Sequence, residues 1–317
     1  MQKPLAALAL AAASVIVLSG CSMTTGAADD GKVHIVASTN IYGSLAAQVG
    51  GDRVDVTSLI DSAAKDPHSY EATARDRLAV QQADLVIANG GGYDSFMDQL
   101  VDGSDAALLT AVEFSHDYSD ATVEDDEHAE EHADDHEGHS HNEGFNEHVW
   151  FDPHTVTHVV EHVAEDLAKI DPAGADDFTA NAEKLNAEIE QLETDLDGLH
   201  TRLEGTPVFI TEPLPGYLAA AAGLDDATPE GFASAVEEGN DVAPATLLAS
   251  LDLIKGKGVA AVLANAQTGG SETTQIEDAA KQAGIPIITF SELLEADQSY
   301  AEWMRAAIND LAAALDE

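Results

Sequence analysis

The stretch DDFTANAEKLNAEIEQLETDLDGLHTRL, residues 176–203, decides how the chain is built. Its large apolar residues, Phe178, Leu185, Ile189, Leu192, Leu196, Leu199 and Leu203, recur at three- and four-residue steps, so they share one face of an α-helix and leave the charged residues on the other. Asp171-Pro172 isolates this helix from what precedes it, because proline lacks the N–H and clashes with the preceding turn; Gly205 follows its end. At 1.5 Å per residue the helix is about 40 Å long. That is enough to brace two lobes and to limit hinge closure between them.

On the N-terminal side, Asp152-Pro153 opens another helix running to about Ile170. Before it, Val33 to Ser38, Val54 to Ile60 and Ala83 to Ala88 read as strands, with helical spacing over Ile41 to Val49 and Arg75 to Gln82. Beyond Gly205 the rhythm returns: strands at Val208 to Thr211, Val259 to Ala264 and Ile285 to Phe290, helices at Ala243 to Gly256, Thr273 to Ala283 and Tyr300 to Leu315. Alternation on both sides implies an α/β fold of two lobes with mostly parallel sheets joined by the long helix. The expected boundaries are 33–153 for the N-terminal lobe, 154–204 for the helical linker and 205–317 for the C-terminal lobe.

The ends and the charge narrow the function. Lys3 precedes an apolar run from Leu5 to Leu18 that stops at Leu18-Ser19-Gly20-Cys21; the run suits a secretory signal and is short for a membrane span. Residues 1–20 read as a lipoprotein signal peptide, Cys21 as the lipidated residue and 21–32 as a tether, which makes the protein extracytoplasmic and membrane-anchored. With one cysteine there is no intrachain disulfide. A net charge of −46 argues against nucleic acid or anionic lipid as a partner; it suits cations, and equally suits solubility in a salty exterior. From Glu124 to Glu143 ten acidic residues and five histidines occur without a base or a large apolar residue, a composition that cannot bury enough surface to fold.

Ligand-type side chains stand close to several predicted strand ends, where open α/β sheets collect ligands. They are His68 in Asp66-Pro67-His68-Ser69-Tyr70-Glu71, His148 in Glu147-His148-Val149-Trp150-Phe151-Asp152-Pro153, Glu212 after Val208 to Thr211, and Glu292 after Ile285 to Phe290. Two imidazoles and two carboxylates suit zinc or manganese. These motifs, with Ala83-Asp84-Leu85-Val86 and its following glycines, resemble over essentially the whole mature chain the zinc- and manganese-binding lipoproteins of ATP-binding cassette importers. The resemblance implies two lobes on a rigid helix, a monomer that is not an enzyme, and a membrane permease as partner. It places the first two ligands on His68 and His148 and the third on Glu212 in Thr211-Glu212-Pro213. The family's fourth ligand is typically an aspartate, and here the chain departs with Ser291-Glu292; Glu292 is the choice, with Asp297 and water as rivals. The acidic insertion before His148 implies low-affinity capture by His128, His132, His136, His139 and His141. Two carboxylates favour manganese, the Irving–Williams order favours zinc, and the histidine-rich segment places zinc first and manganese second.

Other readings compete. His158-Val159-Val160-Glu161-His162 matches the H-x-x-E-H pattern of inverzincin metalloproteases, and with His154 it forms a stripe along one helix. An adhesion lipoprotein stabilised by metal is another. Asn89-Gly90-Gly91-Gly92 could cradle an anion but lacks the Lys-Ser/Thr of a P-loop and is expected to be a tight turn; Asn265 to Gly270 could reach the cleft and is expected first to be a turn.

Overall fold

The computed structural model describes residues 31–62, 65–118, 145–296 and 298–315. Its N-terminal half comprises β1 (Val33–Thr39), α1 (Asn40–Gly50), β2 (Val54–Ile60), α2 (Ala74–Gln81), β3 (Leu85–Ala88), α3 (Phe96–Val101) and β4 (Ala107–Thr110). Two helices follow, α4 (Pro153–Ile170) and α5 (Ala175–Leu203). The C-terminal half holds β5 (Thr206–Ile210), α6 (Gly216–Ala221), β6 (Leu224–Asp226), α7 (Phe232–Glu237), α8 (Pro244–Lys255), β7 (Ala261–Asn265), α9 (Ser271–Ala283), β8 (Ile287–Phe290) and α10 (Tyr300–Leu315). The expected signal segment, Cys21, the histidines at 128, 132, 136, 139 and 141, and Asp297 lie outside the described residues. No helix among the described residues is long and apolar enough to cross a membrane.

Two four-stranded sheets result, ordered β2-β1-β3-β4 and β6-β5-β7-β8, with every pairing parallel. Each order reverses at one place, between β1 and β3 and between β5 and β7, and the crevice at the carboxyl ends of those strands is where such sheets bind ligands. Strands β4 and β6 carry no signal in the sequence reading. They are sheet edges of 4 and 3 residues, too short for a period of two to register.

Along the central strands, alternate side chains enter different cores. Val33, Ile35 and Ala37 of β1, Leu85 and Ile87 of β3, Val208 and Ile210 of β5, and Ala261 and Leu263 of β7 all join one continuous cluster with α1, α4, α5 and α10. Val36, Val86 and Ala88 face a smaller core under α2 and α3, while Phe209 and Val262 face another under α8 and α9. This period of two is what a buried parallel strand dictates.

Helix α5 carries the shared core. It packs on α1 and α4, and also on α6 and α10. Its buried face is the apolar stripe of the sequence, Phe178, Leu185, Ile189, Leu192, Leu196, Leu199 and Leu203, with Ala182 added. Asp176 and Asp177 in the first turn and Arg202 in the last complement the helix dipole. Each buried leucine contributes about 1.5–3 kcal/mol. A second tie joins the halves near the crevice: Asn40 Nδ2 donates to the Leu294 carbonyl at 2.9 Å, and Leu294 N–H donates to Asn40 Oδ1 at 3.1 Å.

Candidate metal centre

The turn that holds His68 is built by its own sequence. Asp66 Oδ1 accepts from His68 N–H at 3.0 Å and Asp66 Oδ2 from Ser69 Oγ at 2.7 Å, while Pro67 starts a single 3-10 turn. His148 begins a similar turn, Val149–Phe151, whose three side chains are all buried. Asn146 fixes the imidazole. Its Nδ2 donates to the Pro213 carbonyl at 3.0 Å, so Oδ1 faces His148, where it accepts the backbone N–H at 3.1 Å and lies 2.8 Å from Nδ1. Nδ1 therefore carries the proton, and Nε2 presents its lone pair to the crevice. Tyr93 walls both rings, its centroid 5.0 Å from that of His68 and 5.8 Å from that of His148, backed by Trp150 at 4.5 Å.

Across the crevice, Glu212 follows β5 and Glu292 follows β8, both buried. Asn265, the last residue of β7, bridges them: its Nδ2 donates to Glu212 Oε2 at 2.7 Å and to Glu292 Oε1 at 2.6 Å. Gln267 N–H donates to Asn265 Oδ1 at 2.9 Å and thereby sets the amide's orientation. Thr268 Oγ1 donates to Glu212 Oε1, and Tyr93 Oη donates to Glu292 Oε2 at 3.1 Å. Of the two expectations for this segment, Asn265 and Thr268 meet the one that reaches the crevice.

A carboxylate that sequence reasoning missed stands beside the imidazoles. Glu237 ends α7, with Oε1 at 3.7 Å from His148 Nε2. Donor atoms of His68, His148 and Glu237 lie within 4.8 Å of one another, the one such group of three found among the described residues. Nothing local marks Glu237 in sequence, since Glu238 beside it is equally acidic and yet lies exposed.

The crevice disfavours negative charge. Burial, then repulsion from Glu147, Glu212, Glu292 and Glu238, pushes Glu237 up to about 9. Glu292 rises to about 7, chiefly by burial, against the opposing hydrogen bonds of Asn265 and Tyr93 and with further repulsion from Glu212 and Asp66. Burial also raises Glu212, opposed by hydrogen bonds from Thr268 and Asn265. Buried carboxyls crowded in this way stay protonated or take up a cation.

The other motifs resolve differently. The backbone at Gly90, Gly91 and Gly92 has φ of 80°, 67° and 100°, a left-handed turn that favours glycine. The Asn89 and Gly90 N–H groups are taken up within the chain, donating to the Asp94 carboxylate at 2.7 Å and 2.9 Å. Along α4, His158 Nδ1 lies 3.2 Å from Glu161 Oε2, while His162 Nδ1 lies 2.9 Å from the His158 carbonyl and its ring stacks on Phe114. His154 lies 4.0 Å from Glu193. No three of these donors converge among the described residues.

Residues 35–314 match the family model described as zinc-uptake complex component A, periplasmic. The manganese-binding lipoprotein MntA of Halalkalibacterium halodurans is 28% identical over 170 residues, 53% of this chain and 50% of that protein. The zinc-binding lipoprotein AdcA of Streptococcus pneumoniae is 29% identical over 110 residues, 35% of this chain and 21% of that protein. The matches therefore span half or less of these relatives' lengths. Among solved structures, the periplasmic zinc binding protein TroA of Treponema pallidum superposes with a TM-score of 0.70 at 20% identity, covering 90% of this chain and 99% of that one. At that identity the likeness speaks for the fold.

Proposed function

The chain belongs to the family of the periplasmic zinc-uptake complex component A, and on that premise we propose that it is an extracytoplasmic solute-binding protein that captures zinc, or manganese as the alternative, for an ATP-binding cassette permease. The observation that carries this reading is the grouping of His68 and His148 with the Glu237 carboxyl, while Tyr93, which walls both rings, hydrogen-bonds the buried Glu292 that Asn265 ties to Glu212. His68 and His148 supply nitrogen donors, with Glu212 and Glu292 as the carboxylate ligands carried over from the family pattern. The protein turns nothing over. It is held to the membrane as a monomer through lipidated Cys21, and His128, His132, His136, His139 and His141 gather zinc loosely for the crevice.

The test is metal content and calorimetric affinity for zinc and manganese on the mature protein, beside a variant lacking residues 124–143 and the single variants His68→Ala and His148→Ala. One tight zinc that survives the deletion and is lost in both histidine variants supports the crevice; weaker extra zinc lost with the deletion supports capture by the histidine-rich segment. Tight binding that vanishes with the deletion, or persists without His68 and His148, rules the crevice out.

A further inference from the structure

We propose that Glu237 is a further direct ligand of the captured ion, grouped with His68 and His148 and added to the carboxylates of Glu212 and Glu292. This rests on the crevice reading above and assigns a ligand that the family pattern does not supply. Each oxygen of Glu212 and Glu292 accepts one hydrogen bond, from Asn265 and Thr268 in one case and from Asn265 and Tyr93 in the other, which orients these carboxylates and leaves each oxygen a lone pair. Glu237 differs. Its Oε1 is buried and meets no hydrogen-bond donor among the described residues, while its side chain is only 12% exposed. An ionised carboxylate oxygen buried without a donor is costly unless a cation meets it.

Position supplies the rest. Glu237 Oε1 lies 3.7 Å from His148 Nε2, the nitrogen that the Asn146 hydrogen bond leaves unprotonated. One donor atom from each of His68, His148 and Glu237 already lies within 4.8 Å of the other two. A zinc ion binds imidazole nitrogen at about 2.0–2.1 Å and carboxylate oxygen at about 2.0–2.2 Å, so modest side-chain rotation closes this set around an ion. Two nitrogens and one oxygen form a usual zinc set, and a carboxylate among them offsets part of the ion's charge.

The experiment uses zinc and cobalt(II) on the mature chain. Cobalt replaces zinc as the probe because its visible absorption reports the number and type of its ligands. Glu237→Gln is expected to lower zinc affinity at least about tenfold and to change the cobalt spectrum, while Glu238→Gln, the same charge change one residue on, leaves both as in the parent. Should Glu237→Gln fail to fold, Glu237→Asp keeps the charge, shortens the reach and is expected to change the cobalt spectrum. An unchanged cobalt spectrum in Glu237→Gln, with or without a loss of affinity, places Glu237 outside the coordination sphere and overturns the assignment. That failure is separable from failure of the crevice, which appears instead as tight zinc persisting in His68→Ala and His148→Ala.

Discussion

The asymmetry of the His148 ring is decided by a neighbour that binds nothing itself. Asn146 donates to Pro213 and accepts at His148, so one amide sets which ring nitrogen faces the crevice and ties the two halves of the molecule across it. Replacing Asn146 by alanine is expected to cost about 10–100-fold in zinc affinity. Asn146→Asp, which keeps the acceptor, is expected to retain most of it, and equal calorimetric affinities for the alanine variant and the parent would show that the tautomer is set elsewhere. Glu237 gives a second residue-scale expectation. Its pKa rises from 4.5 to about 9, so the folded, metal-free protein binds more protons than the unfolded chain between those values. The stabilisation is complete below 4.5 and is lost as pH rises towards 9. Melting temperature of the metal-free protein should therefore fall over that window, and Glu237→Gln, neutral at every pH, should flatten the decline. A slope unchanged in the variant would assign the effect to other groups.

At the scale of elements, the helices behind the crevice owe their positions to a few side chains. Asp152 caps α4, accepting from His154 N–H at 3.2 Å and from Thr155 N–H at 3.3 Å, and this start is set three residues after the buried Val149. Helix α5 contributes through its apolar stripe. Leu192, fully buried in the shared core, is expected to cost about 2–5 kcal/mol when cut to alanine. Asp152→Ala, which removes only a cap, should cost about 0.5–2 kcal/mol. Denaturant titrations of the metal-free variants give both numbers, and a Leu192→Ala cost below that of the cap would mean the stripe is not what holds the helix.

For the whole molecule, the decisive feature is that two sheets share one core. Because the cluster runs from β1 through α5 to β7 and α10, the two sheets and the helices between them share one continuous core. Unfolding of the metal-free protein is therefore expected as one transition, with far-ultraviolet dichroism and tryptophan fluorescence of Trp150 and Trp303 changing together. Separate transitions would show that the halves stand alone. Zinc at one hundred times its dissociation constant should shift that single transition by about 2.7 kcal/mol. The same continuity opposes a wide hinge movement.

The two-lobe α/β class, the long helix and the motifs around His68 and His148 are legible in the sequence, because each depends on neighbours within a few residues: helical or strand period, proline and aspartate at starts, glycine at ends. Glu212 and Glu292 are legible as acidic residues beyond strands for the same reason. What the sequence does not carry is the distance between places far apart along it. Asn265 draws Glu212 and Glu292 together from 53 and 27 residues away, and α7 brings Glu237 to His148. Edge strands β4 and β6 were too short to show a period. Only the shared core, which sets both crevice walls, decides which of 59 acidic residues meet an imidazole, since a carboxylate's chemistry in sequence is the same wherever it lands.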